Sequence, residues 1–224
     1  NLKGDYKPCV LGVIPIKENY PNFKNVPYKV IDGKSLLELT LINSSKSINN
    51  IIVSSESQKV LDFALELEKA GKVPKHYRYL RVKEEDHTFI PISEIMKSAA
   101  SFFEEKANVN IDILIYLSLH SINRKFHHIN KAVHVLHSSQ SDSVVSVQEV
   151  RDPLFKLGKN GLDLMNPGRF KNLSFDNERL FKFNGALIVF WRDLINTDTI
   201  FGKKVSFIEM SSKDSLQISD IDKY

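Results

Sequence analysis

Residues 9–27 read CVLGVIPIKENYPNFKNVP, an apolar run followed by a polar loop. The apolar run ends at Pro15 and is typical of a strand that is enclosed on both faces of an α/β sheet. Ligands of such sheets bind beyond the carboxyl ends of the strands. The loop carries Lys17, Lys24 and Asn25, which offer positive charge and hydrogen-bond donors to oxyanions. The stretch therefore predicts a site for a phosphate-bearing substrate.

Strand and helix patterns alternate along the chain that follows this loop. Helical spacing of apolar residues covers Ser35–Ser47, Ser57–Gly71, Ser93–Ala107 and Lys125–Ser138. Strand patterns cover Asn50–Ser54, Asp112–Ser118, Ser143–Gln148, Gly185–Phe190 and Lys204–Met210. This alternation predicts an α/β fold with a doubly wound, mainly parallel sheet.

Residues 151–183 interrupt the alternation. Turn signals accumulate there, among them Asp152-Pro153, Asn160-Gly161 and Asn166-Pro167-Gly168. We interpret the segment as a hairpin-rich excursion that contacts a second subunit, inside one domain that spans residues 1–224. A length of 224 residues fits a single α/β domain of this kind.

Composition narrows the class of partner and the compartment. The formal net charge of +4 suits a small anionic substrate and is too weak to favour nucleic acid. The single cysteine, Cys9, rules out an internal disulfide framework and fits a reducing compartment. No apolar run approaches the roughly 18–20 residues of a membrane helix. We therefore expect a cytoplasmic enzyme that binds neither nucleic acid nor membrane.

Two further features of the sequence bear on a site. Asp32-Gly33-Lys34-Ser35 lacks the earlier glycine of a P-loop, because Tyr28 stands there, so we interpret it as a turn before a helix that Ser35 caps. His120 directly follows the Asp112–Ser118 strand, at the carboxyl edge of the sheet. The residues alone leave open whether it lines the ligand pocket.

The end of the chain holds two aspartates. Asp220 and Asp222 would share a face of an extended segment, a geometry that suits Mg²⁺ through oxygen ligands. The alternative is an ordinary polar chain end, and the residues alone leave this open.

Six short motifs, in the same order, resemble the acylneuraminate cytidylyltransferase family, whose members make CMP-sialic acid and its relatives. The related family that activates Kdo is similar too. The motifs are Val13–Pro15, Asp32–Leu36, Ile51–Ser55, Ser121–Arg124, Asp142–Val147 and Asn184–Ala186. The resemblance implies a nucleotide-diphospho-sugar transferase-like fold, a homodimer, and a reaction of CTP with an acidic sugar that releases pyrophosphate.

The resemblance also implies roles for individual residues. Lys17 and Lys24 would be catalytic and, with Asn25, Arg81 and Thr88, would bind the nucleotide. His120, Arg124 and Asn184 would face the sugar. Asp220 and Asp222 would hold Mg²⁺, if three residues are inserted after Met210; without that insertion the family's two aspartates fall on Gln217 and Ser219.

The chain departs from the family at several positions. Glu18-Asn19-Tyr20 replaces a glycine run that lets backbone amides approach phosphate, and Glu18 would add negative charge beside the triphosphate. Ser118 replaces a sugar-contacting glutamine. Two alternatives to the transferase therefore stay open: a degenerate relative that binds a nucleotide, sugar or protein without catalysis, and a site retuned to another nucleotide or sugar.

Overall fold

The computed structural model of the protein describes residues 7–21, 23–81, 90–166, 179–197 and 199–221. A seven-stranded sheet with the strand order β11-β7-β10-β6-β1-β4-β5 forms its centre. The strands of this sheet are β1 (Val10–Ile16), β4 (Asn50–Ser55), β5 (Tyr77–Leu80), β6 (Ile113–Leu117), β7 (Ser143–Val150), β10 (Leu180–Trp191) and β11 (Val205–Glu209).

The sheet is mostly parallel. β1 pairs in parallel with both β4 and β6, β4 with β5, and β7 with β11. β10 runs antiparallel to its two neighbours, β6 and β7. The predicted doubly wound, mainly parallel α/β sheet is thereby confirmed.

Helices cover both faces of the sheet. One buried core packs the sheet against α1 (Leu36–Ser45), α2 (Gln58–Lys69) and α4 (Phe126–Ser139). A second core packs the opposite face against α3 (Ile92–Ala107) and a 3₁₀ helix at Arg192–Thr197. The chain also forms a 3₁₀ turn at Val26–Tyr28 and a final short helix, α5 (Ile218–Ile221). Because the sheet is buried on both faces, its central strands are continuous apolar runs.

The segment from Asp32 to Ser35 is a turn and a helix cap, as its sequence predicts. Asp32 and Gly33 have φ values of 50° and 76° and connect β2 (Val30–Ile31) to β3 (Lys34–Ser35). Positive φ at both central residues is the requirement of a tight hairpin turn, which Asp-Gly meets. The Ser35 hydroxyl accepts a hydrogen bond from the Glu38 backbone N–H at 3.2 Å, so it caps α1.

The predicted excursion contains a separate two-stranded hairpin. Its strands are β8 (Leu154–Gly158) and β9 (Gly161–Asn166), which pair with each other and with no strand of the seven-stranded sheet. Residues 167–178 of the excursion lie outside the described part of the chain. Its contact with a second subunit stays a prediction.

Within the described ranges, no helix combines the length and the apolar character that a bilayer crossing requires.

Candidate functional site

The main cavity lies at the point in the sheet where the strand order reverses. The chain leaves β1 for β4 on one side and reaches β6 on the other, so the carboxyl ends of β1 and β6 flank a topological switch point. A cavity of about 570 Å³ opens there. Its walls are largely apolar and aromatic, with a few charged and polar side chains: Pro15, Lys17, Tyr20, Pro21, Arg81, Ile90, Ile92, Ile95, Tyr116, Ser118, Leu119, His120, Gly185 and Gln217.

Two cationic side chains reach this cavity from different strands. Lys17 directly follows β1, and its backbone N–H donates to the Tyr20 hydroxyl at 3.2 Å. Arg81 directly follows β5, is 6% exposed, and donates from Nη2 to the Ile16 carbonyl at 2.9 Å. Since β4 separates β5 from β1 in the sheet, Arg81 reaches back across the strand ends. Two of the three predicted nucleotide-binding cations therefore converge on one cavity.

His120, whose place relative to the ligand pocket the sequence left open, also lines the cavity. Its ring packs edge-on against the Tyr20 ring, with centroids 4.5 Å apart and planes at 81°. Burial lowers the pKa of the His120 imidazole. The side chain that follows β6 is therefore an uncharged aromatic base at neutral pH.

The loop that follows β1 turns two predicted ligands away from the cavity. Tyr20 and Phe23 exchange backbone hydrogen bonds of 2.7 and 3.1 Å, which close the loop on itself. Lys24 and Asn25 are exposed beyond this closure, and neither lines the cavity. Asn25 has a φ of 57° and donates its backbone N–H to Asn19 Oδ1 at 3.1 Å. The structure does not bring these two residues to Lys17.

Glu18 does not face the cavity either. Its carboxylate accepts hydrogen bonds from the Ser57 hydroxyl at 2.9 Å and from Lys59 Nζ at 3.0 Å, at the start of α2. The hydrogen bond with Lys59 lowers the pKa of Glu18. Its charge is thus paired with Lys59, and Glu18 adds no negative charge to the cavity lining.

Arg124, a predicted sugar ligand, is enclosed in the protein. It is 2% exposed, and its Nη1 donates to the Ser118 and Ala186 carbonyls, each at 2.7 Å. Burial lowers the pKa of Arg124 to about 10, which leaves the guanidinium charged at neutral pH. It does not line the cavity. The geometry gives Arg124 the task of tying the end of β6 to β10.

Asn184 has a similar internal task. Its Oδ1 accepts from the Ser146 hydroxyl at 2.6 Å and the Ala186 N–H at 3.1 Å. Its Nδ2 donates to the Ser215 hydroxyl at 3.0 Å and to Met210 Sδ at 3.4 Å. These contacts join β7 and β10 to the C-terminal segment, so the predicted sugar ligand holds that segment in place.

The C-terminal segment separates the main cavity from a second one of about 450 Å³. Gln217 lines both cavities and donates from Nε2 to the Asn184 carbonyl at 2.6 Å. Asp220 lines the second cavity only, and its Oδ2 accepts the Gln217 backbone N–H at 2.9 Å. Gln217, which the alignment without an insertion matches to the family's first aspartate, thus faces the main cavity. Asp220, its counterpart in the alignment with the insertion, does not. Asp222 lies outside the described residues, as does Thr88.

The described side chains do not form a Mg²⁺ site by themselves. Mg²⁺ binds through carboxylates and waters in near-octahedral geometry. In the described part of the chain, no carboxylate lines the main cavity, and Asp220 in the second cavity already accepts a backbone hydrogen bond. The described residues also contain no group of three or more His, Cys, Asp or Glu side chains that could hold a metal.

Tyr20, Tyr116 and Ile92 are among the cavity residues that the sequence did not lead us to predict. Tyr116 carried a usable signal, since it is the one polar-tipped side chain in the aliphatic run Ile113–Leu117 and lies next to its carboxyl end. Tyr20 and Ile92 carried none, because their loop and helix end are positioned only by the tertiary fold.

Solved structures with the same fold are known. A 4-diphosphocytidyl-2C-methyl-D-erythritol synthase from Anaerococcus prevotii is 13% identical, with a TM-score of 0.65 over 96% of this chain and 94% of its own. Another synthase of that name is 10% identical, with a TM-score of 0.62 over 95% and 93%. A CMP:2-keto-3-deoxy-manno-octonic acid synthetase complexed with CTP is 11% identical, with a TM-score of 0.59 over 91% and 90%.

These identities establish a shared fold and no more. No protein-family profile and no curated protein sequence matches the chain.

Proposed function

We propose that this protein binds CTP in the main cavity and transfers its cytidylyl group to an acidic sugar of the sialic acid or Kdo type, releasing pyrophosphate. The observation that carries the proposal is the convergence of Lys17 and Arg81 on a cavity at the switch point of the sheet. The solved structures with this fold include a CMP:2-keto-3-deoxy-manno-octonic acid synthetase complexed with CTP and a 4-diphosphocytidyl-2C-methyl-D-erythritol synthase. The acidic sugar rests on the sequence resemblance.

The cavity offers both charged groups and aromatic surface to a nucleotide. Lys17 and Arg81 offer hydrogen-bond donors to phosphate oxygens and stabilise the charge that develops as pyrophosphate leaves. Tyr20 and Tyr116 offer aromatic surface against which a pyrimidine ring can pack. Holding both parts of the nucleotide fixes the α-phosphorus relative to an incoming hydroxyl.

A second candidate function is nucleotide binding without transfer. It is favoured by the positions of Lys24 and Asn25, which are exposed and do not line the cavity, and by the poor fit of the described side chains to Mg²⁺. A protein of this kind would keep affinity for CTP and would release no pyrophosphate.

A nucleotide panel separates the two candidates. We expect CTP, more than ATP, GTP or UTP, to raise the thermal midpoint; at 100 times its dissociation constant a ligand adds about 2.7 kcal/mol of stability. Cytidine and tripolyphosphate serve as separate controls for base and phosphate binding, and each mixture is run with Mg²⁺ and with EDTA. Pyrophosphate release is then assayed with CTP plus a sialic acid or Kdo.

Each outcome has a distinct meaning. Release of pyrophosphate that depends on the sugar supports the transferase. Stabilisation by CTP with no release for any acidic sugar supports binding alone. The absence of stabilisation by every nucleotide contradicts both candidates.

We also propose that the protein is a homodimer, joined through the β8–β9 hairpin. In this hairpin Phe155 pairs with Leu164 and Leu157 with Leu162, so the four side chains share one face. They are 52–84% exposed. A two-stranded hairpin is marginally stable in water without further burial. A second copy of the chain would supply that burial with the same apolar face.

We expect the substitutions Leu157→Lys and Leu162→Lys, made together, to convert a dimer into a monomer. Each copy would bring two lysines to the interface, and these like charges would repel each other. Sedimentation velocity measures the change. Lys156→Gln with Asp163→Asn is the matched control on the opposite face and should leave the dimer intact. A wild-type protein that is monomeric at all concentrations would contradict the proposal.

A further inference from the structure

Five titratable side chains line the main cavity within the described residues: Lys17, Tyr20, Arg81, Tyr116 and His120. Charged lysine and arginine side chains donate hydrogen bonds and have no acceptor site. Burial raises the pKa of Tyr20 and of Tyr116, so both phenols stay protonated at neutral pH. Among these five, the imidazole of His120 is the group that can accept a proton near pH 7.

The backbone of His120 is fixed on both sides. Its N–H donates to the Ser118 hydroxyl at 3.2 Å, and its carbonyl accepts the Ile218 N–H at 2.8 Å. The first bond holds the turn that follows β6, and the second attaches this turn to α5. A side chain on a backbone pinned from two elements keeps one position in the cavity wall.

The ring of His120 is held by packing. Tyr20 contacts it edge-on, and among the described residues its nitrogens form no hydrogen bond within the protein. The other charged or titratable groups that line the cavity come from three strands: Lys17 follows β1, Arg81 follows β5 and Tyr116 lies in β6. Burial opposes protonation of the ring.

We propose that His120 is the general base of the reaction, taking the proton from the acceptor hydroxyl as its oxygen attacks the α-phosphorus of the nucleotide. The inference rests on the proposed function and assigns a catalytic role within it. His120 follows β6 and Lys17 follows β1, so the proposed base and the proposed phosphate ligand come from the ends of two neighbouring strands.

The step balances without a further reactant. The acceptor O–H bond breaks and its proton moves to an unprotonated ring nitrogen, while the oxygen forms a bond to the α-phosphorus. The bond between the α-phosphorus and the oxygen bridging to the β-phosphate breaks, and its electron pair leaves with pyrophosphate. The imidazolium then returns its proton to solvent.

The test compares His120→Gln with the wild-type protein. We expect kcat for transfer to fall at least about 100-fold, the usual scale for loss of a general base. The dissociation constant for CTP should change less than about threefold, since the base contacts the acceptor side of the reaction. His134→Gln is the matched control, because His134 is exposed on α4 and should leave both quantities unchanged.

The pH profile gives a readout that a structural role would not move. In the wild type, kcat/KM should rise with pH through a pKa below the usual histidine value of about 6.5 and then level off, because only the unprotonated ring accepts a proton. His120→Gln should remove this acidic limb. The same pKa, followed by NMR of the His120 ring in the protein without substrate, gives a value independent of turnover.

Several results would overturn the inference. A His120→Gln variant that keeps kcat within threefold removes the base role and leaves the transferase proposal standing. Parallel losses of CTP affinity and turnover would make His120 a binding residue. An NMR pKa of His120 that does not match the acidic limb of kcat/KM would assign that limb, and the base role, to another group. A wild-type protein that binds CTP and transfers to no acceptor would overturn the transferase itself.

Discussion

Replacing Arg124 by alanine is expected to lower the free energy of unfolding by about 3 kcal/mol. The guanidinium is 2% exposed and makes two hydrogen bonds of 2.7 Å to the carbonyls of Ser118 and Ala186. Hydrogen bonds from charged donors contribute about 1.5–3 kcal/mol each, and truncation leaves a cavity as well. Part of the loss is offset because a buried charge no longer has to be desolvated.

Urea denaturation of the two proteins measures this loss. Arg151→Ala is the control, since its side chain is 78% exposed and forms an ion pair with Glu149 on the surface. Exposed pairs contribute about 0–1 kcal/mol, so this variant should differ little from the wild type. A sugar-binding Arg124 would behave differently: Arg124→Ala would raise the KM for the sugar and leave the unfolding free energy within 0.5 kcal/mol of the wild type.

The fold could be predicted because its central elements are locally consistent. The apolar runs at Val10–Ile16, Asn50–Ser55 and Ile113–Leu117 all became buried strands, and Ser35 caps the helix that follows it. Each of these signals depends on neighbours in the sequence, namely apolar continuity for a buried strand and a hydroxyl before a helical pattern.

Two elements of the sheet gave weaker signals. The strand Tyr77–Leu80 lies at the sheet edge and is half-exposed, so it lacks an apolar run, and the sequence argument missed it. The strand at Gly185–Phe190 was predicted too short, because its first residues, Leu180–Phe183, pair with β7 beyond a register shift. Pairing with a distant strand extends an element where its own sequence is ambiguous.

The site was predictable where it follows from the strand ends and not where it depends on loop conformation. Lys17 directly follows β1, so the rule for α/β sheets placed it correctly at the cavity. Lys24 is seven residues further along, past the closure between Tyr20 and Phe23, and its direction depends on that closure. Arg124 shows a third case, since an arginine near a strand end serves as well for backbone carbonyls as for an anionic ligand.

These two lysines provide the sharpest test of the site. We expect Lys17→Met to weaken CTP binding about 10- to 100-fold, because a charged hydrogen bond to phosphate contributes about 1.5–3 kcal/mol. Lys24→Met removes the same charge from the same loop, and we expect it to change the affinity less than about twofold, because Lys24 is exposed and does not line the cavity. Both variants lower the net charge equally, so long-range attraction of the nucleotide changes alike in the two proteins.

Isothermal titration with CTP at two salt concentrations measures both variants. The defect of Lys17→Met should persist at 0.5 M salt, where attraction between exposed charges is largely screened and a direct contact with phosphate is weakened less. Equal losses in the two variants would mean that the loop as a whole attracts the nucleotide. A loss confined to Lys24→Met would place the triphosphate outside the main cavity, and the site built from the ends of β1, β5 and β6 would then be wrong.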